Sequence, residues 1–136
     1  MKKILCATDG TDHSAHAIEL AGMMSQNFGA ELAVCVVNVA RGGMRGPLVY
    51  TWNDEQVKAL LDNAAAKAKQ AGAKQVEELV LRSREAASAI VQYAEDNGFD
   101  HIVVGTGDKG AVSRLVLGSV AADVAGRAHC SVTIAR

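Results

Sequence analysis

The stretch from Gly105 to Ser119 combines the residue types that hold phosphate groups. It contains several glycines, follows an apolar run, and ends in Gly118-Ser119 directly before a helical pattern. Glycine lets the backbone approach a ligand closely, and the first turn of a helix offers free N–H groups with a partial positive charge. The hydroxyl of Ser119 adds a polar group at the same place. We therefore expect this segment to bind a phosphate group.

The segment differs from the two best-known phosphate motifs. No Gly-Lys-Ser/Thr follows at the spacing of a Walker A loop, and the glycines do not match the dinucleotide fingerprint of a Rossmann turn. A second polar turn, Thr8-Asp9-Gly10, follows the first apolar run of the chain. Both turns come where a strand is predicted to end. Open parallel sheets bind their ligands at that edge.

The elements that must position these turns alternate regularly along the chain. Short apolar runs predict strands over residues 4–7, 32–39, 76–81, 101–105 and 131–135, and Glu77 and Glu78 dilute the third run, as suits an edge strand. Helical spacing predicts helices over 12–28, 54–71 and 119–128, and a third helix in chain order that stops at Asn97-Gly98. Residues 40–52, rich in glycine and holding the only proline, are predicted to be a loop. We expect one α/β domain over residues 1–136, an open five-stranded parallel sheet with helices on both faces.

The whole chain resembles the universal stress protein family. The resemblance rests on KILCATDGTDHS (residues 3–14), on LVLGSVA (residues 115–121) and on the last strand, residues 130–136. It implies a Rossmann-like fold of the adenine nucleotide alpha hydrolase-like kind. It also implies a regulatory protein of stress adaptation that binds ATP or AMP, and commonly a homodimer paired through the C-terminal strands.

The resemblance assigns residues to the nucleoside part of such a ligand. Ala7, Thr8 and Asp9 would line the nucleoside pocket, with the Asp9 carboxylate near the base and ribose. Val37 would present backbone groups to the edge of the adenine.

The resemblance also assigns residues to the phosphate end. Gly105 and Gly107 would let the chain pass the ribose and phosphates. Gly118, Ser119 and Val120 would hold phosphate through N–H groups and the Ser119 hydroxyl.

The glycine spacing departs from that of the nucleotide-binding branch of the family. That branch has glycine, two residues, glycine, nine residues and then Gly-Ser/Thr. With the end set on Gly118, the first glycine falls on Gly105 but the second falls on Asp108. With the front set on Gly107 and Gly110 instead, too few residues precede Gly118. In the first register a carboxylate meets the phosphates, so nearby basic side chains could offset the charge, or a divalent cation such as Mg²⁺ could bridge Asp108 to phosphate.

Several of these residues have simpler interpretations that the sequence leaves open. Asp9 could cap the helix that follows it, Ser119 could cap the later helix, and the loop glycines could only punctuate the chain. His13 and His16 share a helix face, but no third ligand is evident, so we predict no metal site. Trp52, Tyr50 and Met44 could cover the pocket or could seal one end of the core.

Composition narrows the class of protein. With a net charge of −1, the sequence has no basic patch that would favour nucleic acid or an anionic membrane, and with 4% aromatic residues it has few side chains on which bases could stack. Three widely spaced cysteines indicate neither a disulfide framework nor paired zinc ligands. The first apolar run is too short for a signal peptide, and no stretch reaches the about 18 apolar residues of a membrane span. We expect a cytoplasmic protein with reduced thiols.

Three functions are consistent with these observations. The first is the nucleotide-binding regulator. The second is an interaction dimer of the same fold that has lost nucleotide binding, with Asp108 as its signature and an unidentified protein as its partner. The third is a slow ATPase. No general base, strong metal site or arginine finger can be nominated, so we predict no catalytic residue and favour a binding protein over an enzyme.

Overall fold

The computed structural model describes residues 1–107 and 117–136, so the predicted contacts Asp108 and Gly110 lie outside the described residues. Its elements in chain order are β1 (Lys3–Ala7), α1 (Asp12–Phe28), β2 (Glu31–Gly42), β3 (Leu48–Tyr50), α2 (Asp54–Gln70), β4 (Val76–Ser83), α3 (Ala86–Asp96), β5 (His101–Gly105), α4 (Ser119–Arg127) and β6 (Ser131–Ala135). None of the helices in the described part is long and apolar enough to span a membrane.

The sheet is mostly parallel and reverses its winding at its centre. β1 lies between β2 and β5 and runs parallel to both. β4 extends the sheet beyond β2, and β6 extends it beyond β5, again in parallel. The parallel strands therefore follow the order β4-β2-β1-β5-β6. The direction of winding changes between β1 and β5, and a crevice for a ligand is expected at that switch point.

The prediction of a loop over residues 40–52 was wrong in part. β2 continues to Gly42, and β3 pairs with its extension in the antiparallel direction. Within the described residues the sheet therefore has six strands rather than five: the five parallel strands that were predicted and one short antiparallel strand. The glycines and the proline mark only the turn between β2 and β3. A three-residue strand beside such a turn is too short to show its own periodicity.

Alternate residues of the central strands contribute to two separate cores. On β1, Ile4 and Cys6 belong to the core beneath α1 and α2, whereas Leu5 belongs to the core beneath α3 and α4. All three side chains are fully buried. A strand that is covered on both faces needs an apolar side chain at every position, which explains the continuous apolar runs. The prediction of helices on both faces is confirmed.

Candidate functional site

A cleft opens at the carboxyl edge of the sheet, where β1 and β5 lie side by side. Its volume is about 190 Å³. A single water molecule needs only about 10–15 Å³, so the cleft has room for a larger ligand. The structure brings every described residue of the predicted site to this cleft. These residues are Ala7, Thr8, Asp9, Val37, Gly105, Gly107, Gly118, Ser119 and Val120.

Sequence reasoning missed or left open a further set of residues that line the same cleft. They are Thr11, Ser14, Trp52, Ala86, Ile90, Val104, Thr106 and Ala121. Thr106 stands between the predicted contacts Gly105 and Gly107, and Thr11 directly follows the polar turn after β1, so closeness to a strand end was the available signal. Ala86 and Ile90 come from α3, which carries no polar motif, and only the packing of α3 against the sheet reveals them.

The turn after β1 is held by hydrogen bonds among its own side chains. The Thr8 hydroxyl lies 3.0 Å from the Ser14 hydroxyl and accepts the Gly10 N–H at 3.2 Å. Oδ1 of Asp9 accepts both the N–H of Thr11, at 2.9 Å, and its hydroxyl, at 2.6 Å. Thr8 and Ser14 are buried, whereas Asp9 is exposed. The exposed Asp9 carboxylate therefore stands in a fixed position at the rim of the cleft.

The first turn of α1 is capped by Thr11. Its side-chain oxygen accepts the Ser14 N–H at 3.4 Å, and its backbone is extended, as at an N-cap. The simpler interpretation of Asp9 as the cap is therefore wrong, because Asp9 lies outside the helix and fixes Thr11 instead.

The turn after β5 begins with a glycine that the packing of α1 requires. A β-carbon at Gly105 would lie 2.6 Å from the carbonyl oxygen of His13 and 3.0 Å from the backbone nitrogen of Ser14. The next residue, Thr106, is buried, and its hydroxyl lies 3.3 Å from Nδ1 of His13. Gly105 therefore lets the start of α1 close directly onto the end of β5.

Thr106 also receives the residue that precedes α4. The Gly118 N–H donates to the Thr106 carbonyl at 2.8 Å, and a β-carbon at Gly118 would collide with that same oxygen. Gly118 occupies the N-cap of α4, and no side chain in the described part of the protein caps that helix. The interpretation of Ser119 as the cap is therefore wrong. Ser119 is the first helical residue and is exposed at the cleft.

The start of α4 consequently presents backbone donors to the cleft. The first N–H groups of a helix have no partner within the helix, and the helix dipole adds a partial positive charge there. At the start of α1, by contrast, a side chain accepts one of these groups, because the Thr11 oxygen accepts the Ser14 N–H. An anionic group in the cleft could bind to the N–H groups of α4.

α3 borders the cleft and is tied to α4. Glu85 caps α3 by accepting the Ser88 N–H at 2.9 Å, and Arg127 of α4 donates to Glu85 at 3.3 Å and to the Ser88 hydroxyl at 2.8 Å. These bonds, first among them the one from the Ser88 hydroxyl, lower the pKa of Glu85. Its carboxylate links the start of α3 to Arg127 of α4 at the surface.

The backbone of Trp52 is fixed at the mouth of the cleft by Asn38. The buried Asn38 amide accepts the Trp52 N–H at 3.0 Å and donates to the Trp52 carbonyl at 2.9 Å. Trp52 lines the cleft and also packs against the core beneath α1 and α2. Of the three residues for which the sequence left two interpretations open, Trp52 lines the cleft and also packs against the core, whereas Tyr50 and Met44 are exposed and absent from the lining.

The histidines of α1 do not form a metal centre with other described residues. Across residues 1–107 and 117–136, no group of three or more His, Cys, Asp or Glu side chains is arranged to hold a metal ion. His13 instead contacts Thr106.

Comparison with known sequences identifies one family of relatives. A model of the universal stress protein family matches residues 1–136. A universal stress protein of Methanocaldococcus jannaschii is 34% identical, with 99% of this chain and 82% of that protein covered. A universal stress protein of Bacillus subtilis is 32% identical, with 98% of each covered.

Two solved structures share the fold and carry ligands. A universal stress protein in complex with cAMP has a TM-score of 0.79 and 25% identity, with 99% of this chain and 97% of that chain covered. The universal stress protein of Archaeoglobus fulgidus in complex with dAMP has a TM-score of 0.71 and 26% identity, with 100% and 98% covered.

Proposed function

The chain belongs to the universal stress protein family, and we propose that it binds an adenine nucleotide in the cleft between the ends of β1 and β5. The observation that carries this proposal is the convergence of the two polar turns on one cleft at the switch point of the sheet. The adenine nucleotides bound by two structural neighbours support the choice of ligand class.

The phosphate of the nucleotide binds at the start of α4 in this proposal. Gly118 leaves the N-terminal N–H groups of the helix uncapped by any described side chain, and the Ser119 hydroxyl stands beside them. The nucleoside then lies over the ends of β1 and β2, against Ala7, Thr8 and Val37.

The charge of the cleft favours a nucleotide with few phosphates. Among the described lining residues, Asp9 is the one with a carboxylate, and none is a lysine or arginine. Each added phosphate brings negative charge that these residues do not neutralise. We therefore propose AMP as the tighter ligand in the absence of metal. Mg²⁺ improves ATP binding because it neutralises part of the phosphate charge.

Calorimetric titration of nucleotide-free protein with AMP and ATP, each with and without Mg²⁺, tests the proposal. We expect heat with AMP. The Gly118→Ala variant, whose β-carbon displaces the Thr106 carbonyl, should weaken binding by about tenfold or more. Gly126→Ala is the matched control on the same helix, because a β-carbon there meets nothing within 4 Å. If neither AMP nor ATP releases heat, the proposal is contradicted and the interaction dimer is favoured.

We further propose that the protein acts as a regulator of stress adaptation and forms a homodimer through β6. In the described part of the chain, β6 pairs with β5 alone, so its outer edge offers backbone N–H and C=O groups to a second copy. Light scattering on the eluting protein should give twice the 14.2 kDa of one chain. A single-chain mass at micromolar concentration would contradict this pairing.

A further inference from the structure

We propose that Trp52 forms the aromatic wall against which the base of the nucleotide packs, and that Asn38 is the residue that positions it. The inference rests on the proposed nucleotide binding and adds to it a residue that determines how the base is held. Trp52 is the only tryptophan of the chain and lines the cleft. An indole ring offers a large, flat surface on which any base can stack.

The order of the strands places Trp52 at the base end of the cleft. The phosphate end is set by β5 and the start of α4, on one side of β1. Trp52 is bonded to Asn38 of β2, on the other side of β1. Because neighbouring strands lie about 4.8 Å apart, β2 and β5 are separated by about 10 Å. The distance from the phosphate to the base of a nucleotide is of the same order, so one nucleotide can reach from β5 to β2.

Two sets of hydrogen bonds fix the backbone of Trp52 before any ligand binds. The Asn38 side chain is 2% exposed and satisfies both the N–H and the carbonyl of Trp52. The preceding residue, Thr51, donates its N–H to the Val39 carbonyl at 3.0 Å and its hydroxyl to the same oxygen at 3.1 Å. The backbone that carries the ring is thus ordered by β2, and little backbone entropy is lost when a base stacks on the ring.

The composition of this end of the cleft suits a base better than a phosphate. On the β2 side of the cleft, Val37 of β2 and Trp52 contribute apolar surface to the lining. Apolar side chains surround most of a bound small molecule, and a few polar groups fix its orientation.

The intrinsic fluorescence of the unmodified protein tests the inference directly, because Trp52 is the sole source of tryptophan emission. Titration with AMP should change the intensity or wavelength of the emission. The midpoint should equal the Kd that calorimetry measures on the same protein. An AMP titration that releases heat and leaves the emission unchanged would overturn the inference and leave the proposed function standing. No heat with AMP or ATP would overturn both.

Variants separate stacking from a structural role of the ring. Trp52→Ala should weaken AMP binding about tenfold, because the loss of one base–aromatic stacking contact changes the Kd by about that factor. Trp52→Phe keeps an aromatic face and should retain affinity within about threefold. Tyr50→Ala is the matched control, because Tyr50 lies on the same hairpin and is absent from the lining of the cleft.

Asn38→Asp completes the set. It keeps the acceptor for the Trp52 N–H and turns the opposing donor into an oxygen that faces the Trp52 carbonyl. It should weaken AMP binding and lower the anisotropy of the tryptophan emission. Equal AMP affinity in Trp52→Ala, Trp52→Phe and the unmodified protein would overturn the inference. So would an equal loss in Trp52→Ala and Tyr50→Ala.

Discussion

The turn after β1 and the turn after β5 border the same cleft, but their hydrogen bonds are distributed differently. After β1, the side chains of Thr8, Asp9, Thr11 and Ser14 bond to one another and to the start of α1. After β5, the start of α4 is held through the backbone, by the bond from the Gly118 N–H to the Thr106 carbonyl, and the Thr106 hydroxyl contacts His13 of α1 instead of α4. No described side chain caps α4.

This difference gives the two turns different roles: the turn after β1 is a structural scaffold, and the start of α4 is the part that binds a ligand in our proposal. Polar groups that satisfy one another gain little from a ligand, and they hold the local backbone in one geometry. Helix N–H groups without a protein partner can instead bond to an anion. The β1 turn therefore contributes stability and a rigid wall, and the start of α4 contributes donors for the proposed phosphate.

Gly105→Ala should have the largest effect on stability, because it drives the two turns apart. Its β-carbon would lie 2.6 Å from the His13 carbonyl oxygen, which belongs to the backbone of α1 and cannot rotate away. Overpacking of this kind costs about 2 kcal/mol of the free energy of unfolding, measured in urea. Gly126→Ala, where a β-carbon meets nothing within 4 Å, should leave that free energy unchanged or raise it. Equal stability of both variants would show that α1 does not depend on close contact with β5.

The case of Gly105 shows what the sequence could and could not predict. Gly105 was predicted to end a strand, which the structure confirms, and it lies in the lining of the cleft. The resemblance implied that this residue is a glycine so that the chain can pass close to the ribose and phosphates. The structure shows that the packing of α1 also requires a glycine here. A contact between residues that are far apart in the chain leaves no local pattern, so only the fold could reveal it.

Local patterns were sufficient for most of the fold. The bounds predicted for the first helix and for the last two strands are those observed, because Thr11 and Gly29 flank the helix and each strand is mostly apolar. The short strand β3 was missed because the glycines before it dominate the pattern. The support of Trp52 by Asn38 was also missed, since it joins residues 14 positions apart across a hairpin.

Thr11→Val should have an intermediate effect that is confined to the scaffold turn. It removes the oxygen that accepts the Ser14 N–H and the hydroxyl that donates to Asp9. Loss of an N-cap costs about 1 kcal/mol of the free energy of unfolding. Thr11→Ser keeps the hydroxyl and should stay within about 0.5 kcal/mol of the unmodified protein. If Thr11→Ser loses as much stability as Thr11→Val, the methyl group rather than the cap stabilises the turn.

Ser119→Ala should have the smallest effect and should separate the two turns most clearly. Ser119 is exposed and does not cap α4, so its removal should change the free energy of unfolding by less than about 0.5 kcal/mol. The hydroxyl stands beside the proposed phosphate, and its loss should weaken AMP binding about threefold, as for one neutral hydrogen bond. Ser119→Thr should bind AMP as the unmodified protein does. The opposite result, a loss of stability with unchanged affinity, would mean that the start of α4 is a scaffold like the turn after β1, and that the phosphate binds elsewhere.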